Sequence, residues 1–292
     1  MRFAFIRAEK ALYGIARLCR TLRVSKSGYH AWNNRGVSRR ALRDAELASR
    51  VVQFHRASRG TYGSPRILRD FREVGERVGR KRIARLMHER GISGQFKRVW
   101  RHPGAAPTDA TCEPNVLDRN FNVPNPNRVW ATDITYVRTW EGWLYLAVVI
   151  DLFSRRVVGW SMQSHMRSEI VLSALAMALG QRLVDQELLA HSDRGAQYTS
   201  DDYQRMLREH GITCSMSGRG ECYDNAVVES FFGTLKQELI YRRAWATRRE
   251  AASSIHEYIE VFYNRRRRHS HLGYVSPEQY EKNFEQSKSQ AA

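Results

Sequence analysis

Three acidic side chains carry the chemistry that can be read from this chain: Asp133, Asp193 and Glu229. Asp193 follows Asp133 by sixty positions, and Glu229 follows Asp193 by thirty-six. Their contexts are Ala131-Thr132-Asp133-Ile134-Thr135-Tyr136, His191-Ser192-Asp193-Arg194-Gly195 and Asn225-Ala226-Val227-Val228-Glu229-Ser230-Phe231. Carboxylates from two strands and a helix can meet in space and hold a pair of hard divalent cations. Such a pair catalyses phosphoryl transfer.

Each acid is weighed against its neighbours. Asp133 lies mid-strand among Trp130, Ile134 and Tyr136, where an unpaired charge is costly and a metal would offset that cost. The alternative is a surface aspartate on an open sheet face. Asp193 closes a strand, the end at which ligands gather in α/β sheets, although Asp-Arg-Gly alone would read as a turn. Glu229 competes with Glu238, which is nine residues on, about 900° around the helix and so on the opposite side. Glu221 falls before the helix, after Gly218-Arg219-Gly220. Lys236 is seven residues from Glu229, about 700° around, and shares its face, offering a cation for phosphate. Asp151 ends a strand and reads as a structural acceptor in the turn that follows.

These side chains need a sheet to position them, and the hydrophobic period supplies one after residue 126. Val129 to Val137 alternates. Trp143 to Asp151 is nearly continuous in apolar residues, as in a strand buried on both faces, and Arg155 to Met162 is a third strand. Glu141-Gly142 turns the first into the second, so the three read as an antiparallel meander. A helix over Ser168 to Leu183, a strand over Leu188 to Ser192, a helix over Asp202 to Glu209 and a strand over Ile212 to Ser217 follow. Long helices over Asp224 to Tyr241 and Arg248 to Asn264 complete an α/β, RNase-H-like order, βββαβαβα. The last ten residues, 283–292, are polar and are expected to be disordered.

Five of seven prolines (Pro103, Pro107, Pro114, Pro124, Pro126) cluster in or beside a linker placed at 103–125. Before it, residues 1–102 read as all-helical. Helices are expected over Ala11 to Arg23, after a cap at Ser25 with Tyr29 and Trp32 as anchors, and over Ala41 to Ala57. A pair follows, starting at Ser64-Pro65 and ending at Gly91, and resembles a helix-turn-helix at about 64–91. Its second helix carries Arg80, Lys81, Arg82 and Arg85 around Ile83, Leu86 and Met87, as a DNA-reading helix would.

The net charge is +18, and residues 1–120 hold 27 Lys and Arg against 10 Asp and Glu. Residues 121–292 hold 21 against 20, so the excess lies almost wholly in the first part. Such a module fits a polyanion, here nucleic acid. The run Asn264-Arg265-Arg266-Arg267-Arg268-His269 reads equally as a solvated helix end or as a grip on DNA phosphates, through Arg265 and Arg268. Cys19, Cys112, Cys214 and Cys222 form no C-x-x-C pair, which excludes the common structural zinc patterns. No apolar run approaches the ~20 residues of a membrane helix, and the opening ten lack the apolar core of a signal peptide. A reduced, cytoplasmic, nucleoid-associated protein is expected, with no membrane contact.

The strings Trp130-Ala131-Thr132-Asp133-Ile134-Thr135-Tyr136, His191-Ser192-Asp193-Arg194-Gly195-Ala196-Gln197-Tyr198 and Cys222-Tyr223-Asp224-Asn225 through Glu229-Ser230-Phe231-Phe232 resemble the integrase-core transposases of the insertion-sequence-three family. Tyr263-Asn264 through Ser276-Pro277 adds to the likeness, which covers nearly the whole chain and points to the second-reading-frame product of such elements. The resemblance implies a mixed five-stranded sheet with flanking helices, residues 126–282 forming the catalytic core. It also implies a DDE triad of Asp133, Asp193 and Glu229 holding two Mg²⁺, with Mn²⁺ as a substitute. Lys236, Arg194, Gln197, Tyr198 and Asn225 would touch DNA. The activity implied is nicking and strand transfer at the ends of a mobile element, by a homodimer or larger assembly on DNA. The usual partner is an upstream-frame product joined by ribosomal frameshifting. This chain opens on Met1 without sustained leucine heptads, so it is expected to be the downstream half.

Two other readings stand beside this one. Arg268, His269, His271 and Tyr274 hold the residue types of a tyrosine recombinase, which would leave the acids unexplained. A non-catalytic DNA-binding regulator of the element would use the charge but not the triad.

Overall fold

The computed structural model describes residues 1–95, 113–184, 187–218 and 225–291. Pro103, Pro107, Cys112, Arg219, Gly220, Glu221, Cys222 and Asp224, all used in the sequence reading, lie outside the described residues.

The chain opens with α1 (Arg2–Tyr13) and α2 (Ile15–Thr21). The single helix expected over Ala11 to Arg23 is broken at Gly14, whose φ of 70° no helix accommodates. Ser25 accepts the Gly28 N–H at 2.9 Å and starts α3 (Lys26–Asn33), as expected. Ser38 does the same for α4 (Arg39–Ala57) through the Ala41 N–H at 3.1 Å. Pro65 opens α5 (Ser64–Glu73), with Gly63 rather than Ser64 in the capping position. Gly79 precedes α6 (Arg80–Glu89), and Gly91 turns the chain beyond it at a φ of 64°.

The sheet is built from β1 (Val129–Thr139), β2 (Gly142–Asp151), β3 (Val157–Gln163), β4 (Leu189–Ser192) and β5 (Thr213–Met216). Its order is β3-β2-β1-β4-β5. The first three strands pair antiparallel, and β4 joins β1 and β5 in parallel. Strand alternation splits the core. Trp130, Ala147 and Val149 face α7 (Glu169–Gln181) and α8 (Asp201–Glu209). Ala131, Val137 and Val148 face α9 (Ala226–Glu238) and α10 (Arg248–Glu257). Gly159 lets α7 approach β3, because a Cβ there would stand 2.2 Å from the Ala174 carbonyl oxygen.

Two expectations about extent are corrected. Residues 113–125, assigned to a linker, lie against β5: Leu117 is buried, and Ser215 Oγ accepts the Val116 and Leu117 N–H groups at 3.0 and 3.2 Å. Residues 283–291, expected to be disordered, continue α11 (Pro277–Ala291). Its apolar side, Tyr280 and Phe284, stacks on Phe153, and Glu281 pairs with Arg156 and Arg182. An apolar residue every fourth position suffices for one contact face on an otherwise polar helix.

α10 continues into a π-helical turn, Tyr258–Tyr263, and the arginine run after it is a joint. Arg267 is buried against Glu238 of α9, with bonds of 2.7 and 2.8 Å, and Tyr258 Oη donates to the same carboxylate at 2.9 Å. Arg268 reaches back to the helical module, pairing with Asp70 at 2.7 Å and with Glu73. Tyr62 Oη donates to the Arg266 carbonyl and accepts the Arg268 N–H. One apolar cluster runs through this joint, from Val51 and Phe71 to Phe231 and Phe262.

Breaking a buried pair leaves a charge without its partner, which typically costs about 3–5 kcal/mol. Arg267→Met should therefore destabilise the chain by about that amount in urea unfolding. Adding Glu238→Gln, which removes the stranded charge yet still accepts from Tyr258, should recover at least half of the loss.

Candidate active site

Asp133 and Asp193 are brought level by strand pairing. β1 and β4 run parallel with Ala131 opposite His191, a register offset of sixty residues. The same offset separates Asp133 from Asp193, which follows directly on the end of β4. Glu229 comes from the first turns of α9, which packs over β1. The three acids sense one another: Asp193 and Glu229 both act on Asp133.

Thr132 holds these pieces together. Its carbonyl oxygen accepts from Asn225 Nδ2 at 3.1 Å, which ties the residue before α9 to β1. Its hydroxyl lies 3.2 Å from Tyr198 Oη, which ties the loop carrying Asp193 to the same strand. Asp193 Oδ1 accepts the Gly195 N–H at 3.0 Å. A Cβ on Gly195 would sit 3.0 Å from that oxygen and 3.1 Å from Gln197 Oε1, so the loop closes on the carboxylate only with glycine there. Nothing in composition or spacing singles out Thr132 as the residue linking the three segments.

The electrostatics are those of crowded carboxylates. Burial, the charge of Asp193 and that of Glu229 push Asp133 up to about 8, against the Ile134 N–H it accepts at 2.7 Å. Asp193, its side chain open to solvent, is also raised by the protein packed around it, with the Gly195 N–H opposing. Lys236 is lowered by burial and held partly in its charged form by Asp133. Its ammonium lies 5.3 Å from the centroid of the Tyr136 ring. The helical phase therefore places Lys236 on the face of the acids, while Glu238 is bound to Arg267 away from it. Asp151 is the structural acceptor expected, taking the Asn127 and Phe153 N–H groups at 2.8 Å each.

Among the described residues no three carboxylate, imidazole or thiol groups are closed around a common point. The acids instead face one another with their charge uncompensated except by Lys236. An all-oxygen, all-anionic donor set of this kind suits Mg²⁺ or Mn²⁺ and not zinc.

Family models for an integrase core domain match residues 123–222 and 210–277, and a model for an HTH-like domain matches residues 41–100. The chain is 41% identical over 283 residues to the transposase InsF for insertion sequence IS3A of Escherichia coli strain K12, covering 96% of this chain and 98% of that protein. The chain belongs to the IS3 family of transposases. It is also 41% identical to an uncharacterized 31 kDa protein of insertion element IS600 from Shigella sonnei, over 92% of this chain and 99% of that one. The HTLV-2 integrase catalytic core domain in complex with magnesium is similar over 53% of this chain and 97% of its own length, at 18% identity and a TM-score of 0.41. A simian T-cell lymphotropic virus intasome chain matches over 79% and 74%, at 14% identity and a TM-score of 0.45. At such scores these two likenesses carry no argument about chemistry.

The transposase is thus a DNA-acting protein with an RNase-H-like integrase core and an HTH-like module. No helix among its described residues is long and apolar enough to cross a membrane. Several residues expected to touch DNA have other work. Tyr198 is only 1% exposed and supports the site from behind. Asn225 is buried and positions α9. Arg82 and Arg85 both pair with Asp44 of α4 at 2.7 Å, and Arg85 also pairs with Glu89. Arg268 is committed to Asp70 and Glu73, so the arginine a tyrosine recombinase would need is spent in the joint. Arg80 and Lys81 are exposed, as is Arg265, 3.6 Å from Glu278. Arg194 donates to the Ser217 carbonyl at 2.8 Å, and Gln197 to the Met166 carbonyl at 2.8 Å.

The raised Asp133 gives a testable pH dependence. Its folded pKa lies above that of an unfolded aspartate, so the fold keeps a proton that the unfolded chain releases. Metal-free stability then falls as pH rises from about 4 to about 8. A divalent cation competes with that proton. The Mg²⁺-induced rise in thermal midpoint should be larger at pH 8.5 than at pH 6, and Asp133→Asn should abolish most of it at both.

Proposed function

We propose that this IS3-family transposase cuts and joins DNA as a two-metal DDE enzyme, with Asp133, Asp193 and Glu229 as metal ligands and catalytic residues. The observation that carries the reading is the crowding of the three carboxylates beside Lys236, which raises Asp133 to about 8. Such crowding is costly without counter-charge and fits a site completed by cations.

Two bound Mg²⁺ ions, or Mn²⁺ in their place, would lower the pKa of the attacking hydroxyl and neutralise charge on the leaving oxygen. The chain's own groups do the rest. The level placement of Asp133 and Asp193 orients their oxygens toward one reacting phosphate, and Asn225 and Thr132 keep Glu229 in register with them. Lys236 sits where a phosphate oxygen next to the scissile bond would pass, with Tyr136 beside it. Water is the nucleophile for nicking at a 3′ end, and the freed 3′-OH is the nucleophile for strand transfer, with no covalent protein intermediate. Arg80, Lys81, Arg265, Arg194 and Gln197 would contact DNA. Residues 1–102 would serve as the DNA-binding region and 126–282 as the catalytic core. The working assembly would be a homodimer or larger, joined to the upstream-frame product, at the nucleoid.

The deciding measurement is nicking of duplexes carrying the element's own ends, with and without that product. Asp193→Asn should lower metal-dependent nicking by at least a thousandfold while leaving the affinity for the same duplex within about twofold, since only a metal ligand is lost. Full nicking by the triple amide variant of Asp133, Asp193 and Glu229 would refute the reading. Binding without nicking, alike in wild type and variant, would favour a non-catalytic regulator.

A further inference from the structure

The first three helices form a unit of their own. Ile6, Leu18, Cys19 and Tyr29 make a separate small core, joined by Phe3 and Trp32. This unit lies outside the residues matched by the HTH-like model, which begin at 41. Residues 1–36 hold eight Lys and Arg and a single acid, Glu9.

Within it, α2 and α3 are joined by a four-residue turn, Leu22-Arg23-Val24-Ser25. The Val24 N–H closes the end of α2 on the Cys19 carbonyl at 3.0 Å, and Ser25 caps the start of α3. Gly28 is required beneath that cap, because a Cβ there would stand 2.6 Å from Ser25 Oγ. Tyr29 and Trp32 turn one side of α3 onto the core. Lys26, Ser27, His30 and Asn33 are left on the exposed side. Lysine and asparagine on an exposed helix are groups that read guanine and adenine edges in a major groove. Arg17 and Arg20 lie exposed on α2, the position from which a supporting helix meets the phosphate backbone.

Two further observations point to use of these charges. Among the described residues Arg17, Arg20, Arg23 and Lys26 form no ion pair, whereas Arg82 and Arg85 of α6 are both taken by Asp44. Arg23 also occupies the turn at a φ of 51°, in the left-handed region where glycine is the less strained choice. An arginine is kept where the backbone alone would favour glycine.

We propose that α2 and α3 form a second helix-turn-helix, which binds duplex DNA separately from the module at 41–100, with α3 in the major groove and Arg17, Arg20 and Arg23 on the backbone. The proposal rests on the chain acting on DNA, and its test does not use nicking, so its failure is distinct from failure of the metal chemistry.

The full chain is footprinted with hydroxyl radicals on a duplex carrying the element's end. The wild type should protect two tracts. Lys26→Ala with Asn33→Ala should lose one tract and keep the other. The slope of log K against log salt should become shallower by about 0.9 for the one cation removed. Arg23→Gly should soften the salt slope by a similar amount while its thermal midpoint stays equal to or above the wild type's. A merely structural Arg23 would leave the slope unchanged. Footprints and salt slopes identical to wild type in both variants would overturn the proposal.

Discussion

The parallel pairing of β1 with β4 is the constraint on which the site depends. It carries no tight turn of its own, because parallel neighbours need a long crossover, and β2, β3 and α7 lie within that crossover. Once Ala131 stands opposite His191, Asp133 must stand level with Asp193. A slip of one residue would send Asp133 to the other face of the sheet, away from Glu229. The crowding of the acids follows from that register, and with it the raised Asp133.

Holding like charges together requires support that does not depend on the charges themselves. Thr132 supplies part of it, with its backbone oxygen anchoring Asn225 and its hydroxyl meeting Tyr198. Gly195 allows its loop to fold tightly on Asp193. Behind α9, Glu238 and Arg267 form a buried pair that adds direction more than stability, since a buried pair recovers little beyond its own desolvation. The adjoining Arg268 and Tyr62 carry the same rigidity into the helical module, so α5 is placed relative to the catalytic face. The basic half of the chain is therefore not one undivided DNA grip. Part of its charge is internal cement, and part is left for solvent and phosphate.

Much of this was legible in the residues. The change of hydrophobic period at 129 marked the sheet, and the helical phase of Glu229 separated Lys236 from Glu238. Asp151 was readable as a turn acceptor because the turn is local. What escaped was non-local. Tyr198 and Asn225 sit in motifs beside the acids, and only the fold shows that both point inward to Thr132. Arg82, Arg85 and Arg268 look alike in sequence to Arg80 and Arg265, but their acidic partners, Asp44 and Asp70, lie far away along the chain. The tail from 283 was misread because its polar composition hides two aromatic contacts, which gain meaning only once Phe153 is in place.

By itself, then, the sequence determined which groups can do chemistry, on which element each is carried and which side of its helix faces the sheet, because these depend on residue type and on periods of two and 3.6 residues. Only the tertiary structure decided which arginines are spent, which polar residues are buried and which residue ties the three acids together. Those outcomes depend on pairings between segments distant in the chain, and neither spacing nor composition records them.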